Sequence, residues 1–318
     1  MMRPGRLLLA AIAVLFVCFA VVYFSFPELI LEAMTASARR TAGLERFEID
    51  AETHRIVYLE GGAGEPVVLL HGFGASKDLW NAVAARLTPQ YRVIVPDIPG
   101  FGESPALDEA RYDAESQARR LRAFLEALDI DEHHVGGNSM GGLISVVYTA
   151  LYPDAVRSLL IGAAPGVRSP ERTEVERAVE RGENPLLIRN EQDFDRIIGL
   201  IFSRSPAIPG PVKRAMMRAA IRNRAIHARL FEELTQSELD GLEPLLPKIE
   251  APTLVLWGAD DRLVHPSSVA VFTREIDGAE SEIFEACGHA LPRDCPDLLV
   301  ERYLTFLRGV PARAHRGP

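Results

Sequence analysis

Hydrophobic patterning divides the chain into two regimes. From Leu7 to Phe26, 19 of 20 residues are apolar and none is charged. Twenty helical residues rise about 30 Å, the thickness of a bilayer's hydrocarbon core, so this stretch is expected to form a transmembrane helix. It exceeds the roughly 7 to 15 apolar residues of a signal peptide and has no small-x-small cleavage site after it, which favours a retained anchor. Cys18 follows Phe16 and Val17 rather than a small residue, so it reads as one more apolar position and not as a lipidated cysteine. Pro27 ends the span, and Glu28 to Arg46 reads as an amphipathic juxtamembrane segment with apolar Leu29, Ile30, Ala33 and Met34.

From Phe47 onward, short β-branched runs alternate with longer helical patterns, which predicts a largely parallel sheet covered on both faces. The strand candidates are Val67 to Leu70, Arg92 to Pro96, His134 to Gly137, Ser158 to Gly162, Thr253 to Trp257 and Ser281 to Phe284. Helical length and spacing mark Trp80 to Leu87, Ala114 to Leu128, Gly142 to Leu151 and Leu298 to Leu307. Phe47 to Asp50 and Arg55 to Leu59 suggest an initial hairpin, with a turn at Gly61 to Gly64. Arg168 to Pro244 contains no convincing strand and is expected to be a helical insertion over the sheet. Within it, Arg196 to Leu230 carries eight basic residues and no acid. Arg214, Arg218, Arg222 and Arg229 fall to one side of a helix, which reads either as a solvated face or as one resting on anionic lipid.

Composition then narrows the class. The 318 residues are 47% hydrophobic and 25% charged, with a net charge of -9, which argues against a general nucleic-acid binder. With only three cysteines, disulfides cannot carry the fold. Residues 1 to 46 hold five arginines and three glutamates, a net +2, so the remainder carries -11.

The candidate chemistry centres on Gly136 to Gly142, GGNSMGG, where Gly137, Ser139 and Gly141 spell G-x-S-x-G between an expected strand and an expected helix. A serine on such a sharp turn is exposed above the sheet, and the glycines admit the tight bend. Its hydroxyl needs a base to take the proton and a carboxylate to orient that base, expected downstream in the order Ser, Asp, His. His289, in ACGHALPRDCP, follows the last strand candidate, and the acid is Asp260 or Asp261 of LVLWGADDRLV. The turn HGFG, His71 to Gly74, follows the first parallel strand. Its Phe73 amide and the amide of Met140 form the expected oxyanion donors. His133 and His134 lack partners at metal-ligand spacing.

With HGFG, DIPGFGES (Asp97 to Ser104), GNSMGG, WGADD and CGH in this order, the chain resembles the α/β-hydrolase family from about Tyr58 to Phe306. The N-terminal anchor, HGFGASKDLW and the NEQDF stretch look similar to membrane-anchored monoacylglycerol lipases and related bacterial lipases and esterases. The resemblance implies an α/β-hydrolase fold with a helical cap, and catalysis by Ser139, His289 and Asp261, the aspartate three residues after the glycine of the W-G pair. It departs from the family at Gly136, where a bulky apolar residue is usual, which suggests a loosened strand. Family members with an aspartate at the elbow, the epoxide hydrolases and haloalkane dehalogenases, are set aside by Ser139.

The expected activity is hydrolysis of lipid carboxylic esters through an acyl-enzyme, with no cofactor or metal and no nucleic-acid partner. The alternatives are a carbon-carbon bond hydrolase of ring-cleavage products, and a membrane-tethered binding protein with a vestigial triad. The expected division is an anchor over 1–27, a juxtamembrane segment over 28–46, core over 47–167, cap over 168–246, core again over 247–310 and a tail over 311–318. Membrane contact is expected through the N-terminal helix and the basic cap face. Arginines flank the span on both sides and leave its orientation open, with the periplasmic side preferred. Cys287 and Cys295, eight apart beside His289, are expected as free thiols, with pairing open in an oxidising compartment.

Overall fold

In the computed structural model, residues 4–238 and 241–311 are described, except for the side chains of residues 4, 6–11, 18–20, 22 and 236–238. The chain begins with two helices, α1 (Pro4–Ser25) and α2 (Pro27–Thr41), broken at Phe26 where Pro27 opens the second. An antiparallel pair follows, β1 (Glu45–Ala51) and β2 (His54–Gly61), then β3 (Pro66–Leu70), α3 (Asn81–Leu87), β4 (Arg92–Pro96) and α4 (Ala114–Ala127). Next come β5 (His133–Asn138), α5 (Met140–Leu151) and β6 (Val156–Gly162). Four helices lie between β6 and the next strand: α6 (Glu174–Glu180), α7 (Glu191–Ile201), α8 (Gly210–Arg222) and α9 (Arg224–Glu238). The chain then returns through β7 (Thr253–Gly258), α10 (Ser268–Glu275), β8 (Glu280–Phe284), α11 (Leu291–Asp294) and α12 (Pro296–Gly309).

The helix starts follow from local chemistry. Asp113 caps α4 by accepting from the Ser116 N–H at 2.8 Å, and Asn190 caps α7 through the Asp193 N–H at 2.9 Å. Thr173 and Glu176 cap α6 reciprocally, each side chain accepting from the other's backbone N–H.

The eight strands form one sheet in the order β1-β2-β4-β3-β5-β6-β7-β8. β1 with β2 and β2 with β4 are antiparallel, and all later pairs are parallel. Successive residues of the central strands serve opposite faces. Val68 and Leu70 join one apolar cluster with α4, α5 and α10, while Val67 and Leu69 join another with α3 and α12. Burial on both faces explains why these strands read as continuous apolar runs. Gly136 does not loosen β5: a Cβ there would come within 2.6 Å of the Leu160 Cβ, so the neighbouring strand fills the space.

The loops after β3, β5, β7 and β8 leave the same edge of the parallel sheet. Chemistry-bearing groups from distant positions can therefore meet there, as ligands do outside the carboxyl ends of parallel strands.

The expected anchor forms most of α1, but the side chains of residues 7–11, 18–20 and 22 lie outside the described set. Among the described residues, no helix is long and apolar enough to cross a membrane. Of the expected tail, residues 312–318 also lie outside it.

The basic face expected on the insertion is in part committed to the protein itself. Arg214 donates to the Tyr23 carbonyl at 3.2 Å and lies 6.0 Å from the centre of the Phe24 ring, and Arg218 pairs with Glu28 at 3.2 Å. Lys213 is held between Glu191 and Asp195 of α7, each at 2.7 Å. α8 thus packs beside α2, a partner some 190 residues earlier in the chain.

Candidate active site

Ser139 sits between β5 and α5 with φ 60° and ψ -125°, a conformation that costs a non-glycine residue about 1–3 kcal/mol. The glycines around it make the turn possible. A Cβ on Gly137 would lie 2.2 Å from the Gly141 carbonyl carbon, and one on Gly141 would lie 2.3 Å from the Leu70 oxygen. The Ser139 N–H donates to the Gly162 carbonyl at 2.8 Å, which ties the elbow to β6.

His289 lies after β8 and Asp261 after β7, both buried. His289 Nδ1 stands 2.8 Å from Asp261 Oδ2, while Asp261 Oδ1 accepts from the Leu263 and Val264 N–H groups at 2.8 and 3.0 Å. An ionised carboxylate so held requires the proton on Nδ1, which leaves Nε2 free to accept one. The residue pattern alone had left Asp260 and Asp261 open; the structure turns Asp261 to the imidazole. Asp260 instead accepts from the Ser203 hydroxyl at 2.5 Å.

The histidine loop is held from three sides. Asn138, the residue before Ser139, donates through Nδ2 to the His289 carbonyl at 3.2 Å, which links the elbow directly to the loop. The His289 N–H donates to the Ile201 carbonyl at 2.7 Å, at the end of α7. Asp294 Oδ2 accepts from both the Gly288 N–H, at 2.6 Å, and the Ser203 N–H, at 2.8 Å. Asn138, Ser203 and Asp294 are not singled out as site residues by the sequence, and Asp260 enters there only as the alternative acid. Asp294 lies within the quoted run ACGHALPRDCP, but its partner Ser203 is 91 residues away.

The expectation of free thiols is corrected here: Cys287 and Cys295 form a disulfide with Cα atoms 6.0 Å apart. The turn into α11 folds the chain back on itself, which brings two residues eight apart to bridging distance and encloses His289 in a covalent loop.

On the other side of the serine, the turn after β3 comes close. A Cβ on Gly72 would lie 3.1 Å from the Ser139 Cβ. Neither the Phe73 N–H nor the Met140 N–H donates to another group among the described residues. Met140 is the first residue of α5, where N–H groups have no partner inside the helix. His71 fixes the start of the turn. The Ile98 N–H donates to its Nε2 at 3.0 Å, so Nδ1 carries the proton and donates to the Gly72 carbonyl at 2.8 Å. Full burial pushes the His71 pKa down and keeps the ring neutral. The Phe73 ring packs edge-on against Phe101, and against His227 and Phe231 of α9, with centroids 5.2 to 5.7 Å apart.

This arrangement can bring a nucleophilic hydroxyl, an oriented imidazole and two backbone donors to one edge of the sheet. Residues 65–184 match the family model described as the alpha/beta hydrolase fold. Lipase 1 of Psychrobacter immobilis is 34% identical over 80% of this chain and 81% of its own length. The chain belongs to the α/β-hydrolase family. The hydrolase is also similar to a solved membrane phospholipase A described as a bacterial virulence factor, at 39% identity and a TM-score of 0.87, over 96% of this chain and 99% of that one. Human monoacylglycerol lipase ABHD6 is 25% identical to the hydrolase over 94% of this chain and 93% of its own length.

Proposed function

We propose that this hydrolase cleaves carboxylic esters of lipids, with Ser139 as nucleophile, His289 as general base and Asp261 orienting it. The observation that carries the reading is the His289 Nδ1 to Asp261 Oδ2 contact at 2.8 Å, joined to the elbow through Asn138. Ser139 Oγ attacks the ester carbonyl while its proton passes to His289 Nε2. The negative charge that develops on the carbonyl oxygen is met by the N–H groups of Phe73 and Met140. His289 returns the proton to the departing alcohol. Water, deprotonated by the same nitrogen, then attacks the acyl-enzyme and releases the fatty acid.

The lipid assignment is supported by relatives named as lipases and by the Phe231 ring that α9 packs on the Phe73 ring. It is tested by the full-length protein in detergent acting on monoacyl-, diacyl- and triacylglycerols and on p-nitrophenyl esters of increasing chain length. Long-chain monoacylglycerol is expected to turn over, with kcat/KM at least about 10-fold above that for the two-carbon ester, since each buried methylene contributes about 0.8 kcal/mol. Equal activity on two-carbon and long-chain esters would overturn it. A diacyl phospholipid belongs in the same panel, because the phospholipase A matches nearly the whole chain.

The 20-residue apolar run and the similarity to a membrane phospholipase support α1 as a retained membrane anchor. The protein is then expected to stay in the membrane pellet after an alkaline carbonate wash; release into the supernatant would refute this.

A further inference from the structure

The oxyanion turn is followed at once by a buried lysine. Lys77 is 1% exposed, and its Nζ lies 2.6 Å from Asp97 Oδ2 and 2.7 Å from Glu103 Oε1. Asp97, itself fully buried, also accepts from the Lys77 N–H at 2.7 Å and the Glu103 N–H at 2.8 Å. Gly102 makes room for this carboxyl, since a Cβ there would stand 2.2 Å from the Asp97 Cγ. The next residue, Ile98, holds His71 at the other end of the turn. One strand end, Asp97-Ile98, therefore grips both sides of the segment that carries Phe73.

The network continues into the N-terminal segment. Arg39 of α2 makes a forked pair with Asp78, at 2.7 and 2.6 Å, and Arg46 of β1 reaches Glu103 at 2.8 Å. Three cations, Arg39, Arg46 and Lys77, thus face three carboxylates, Asp78, Asp97 and Glu103. Burial by itself would raise the Glu103 carboxyl, but hydrogen bonds from Arg46 and Lys77 outweigh it and bring it down to about 2. Glu103 therefore stays ionised throughout any ordinary assay range. A buried ion pair contributes less net stability than well-packed apolar groups, yet it tolerates only a narrow geometry.

We propose that Lys77 is a positioning residue for the Phe73 oxyanion donor, and that Arg39 and Arg46 extend this role to the segment preceding the sheet. The inference rests on the reading of Phe73 as an oxyanion donor. It implies that α2 contributes to turnover of soluble esters as well as membrane-borne ones.

The test uses the full-length protein in detergent, with active sites counted by a fluorophosphonate and turnover measured on p-nitrophenyl butyrate. Lys77→Met is expected to lower kcat per titrated site by about 10- to 100-fold with KM within threefold, because a misplaced donor fails mainly in the transition state. Inhibition by a trifluoromethyl ketone, which forms the tetrahedral oxyanion, should weaken by the same factor, and Lys77→Arg should recover part of both. Arg39→Gln and Glu103→Gln should each lower kcat about 3- to 10-fold, as a smaller displacement of the same donor. These two side chains are partly exposed, so they decide the matter if Lys77→Met yields no titratable sites. Unchanged kcat per site and unchanged ketone inhibition in Arg39→Gln and Glu103→Gln would overturn the proposal. Failure of the unsubstituted protein to label at Ser139 would instead overturn the catalytic reading beneath it.

Discussion

Replacing Ser139 with alanine is expected to lower kcat for p-nitrophenyl butyrate by about 10^4- to 10^6-fold, the scale on which loss of a nucleophilic serine is felt. The substitution removes only the hydroxyl. The Ser139 N–H would still reach the Gly162 carbonyl, and the bond from Asn138 to the His289 loop does not involve the serine side chain. The turn's unusual φ of 60° is imposed by its surroundings and stays with the alanine. Fold and thermal stability should therefore change little, and any remaining rate would come from the oxyanion donors and substrate binding. Initial rates beside fluorophosphonate labelling check this. Residual activity above about a hundredth of the original would remove Ser139 from the mechanism.

Asp261→Asn should cost about 10^4-fold in kcat near neutral pH, by a different route. One oxygen of Asp261 accepts the Leu263 and Val264 N–H groups, and an asparagine can keep both with its carbonyl. Its amide nitrogen must then face His289 Nδ1, where Asp261 Oδ2 stands at 2.8 Å. A donor there requires Nδ1 to accept, which moves the ring proton to Nε2. The imidazole would then stand in place with the wrong tautomer and could not take the serine proton. Intact thermal stability with a deep loss of kcat is the expected signature. A loss smaller than about tenfold would show that Asp261 only braces the loop and that another group orients the base.

Legibility in the sequence followed the range of the interactions. β3, β4 and β7 were visible because burial on both faces demands nearly unbroken apolar runs, and Arg92 to Pro96 was read to the residue. The elbow was visible because its serine and glycines stand together within a few positions, although part of the crowding that demands Gly141 comes from Leu70. α10, Ser268–Glu275, went unread, since eight residues in a short connection carry too little periodicity to separate a helix from a loop. The residue types by themselves do not separate Asp260 from Asp261; the family resemblance picks Asp261 by its place three residues after Gly258, and the turn after β7 aims that side chain at a loop 28 positions later. The disulfide was misjudged for a similar reason: a spacing of eight is compatible with many Cα separations, and the fold of the loop selects one.

By itself, then, the sequence determined the alternation of strands and helices, which rests on the local period of apolar residues, and the G-x-S-x-G turn, whose serine and glycines stand within five positions; the order of serine, acid and base is what the family resemblance implies. Tertiary structure supplied the contact between Asp261 and His289, two residues the family resemblance already names, and alone decided the clasp of Ser203 by Asp260 and Asp294. It also decided the approach of α8 to α2 and the charged cluster of Arg39, Arg46, Lys77, Asp97 and Glu103. Each of those joins groups from 20 to 190 residues apart. Their meeting depends on the order in which eight strands are laid side by side, a property of the assembled sheet that no local run of residues encodes.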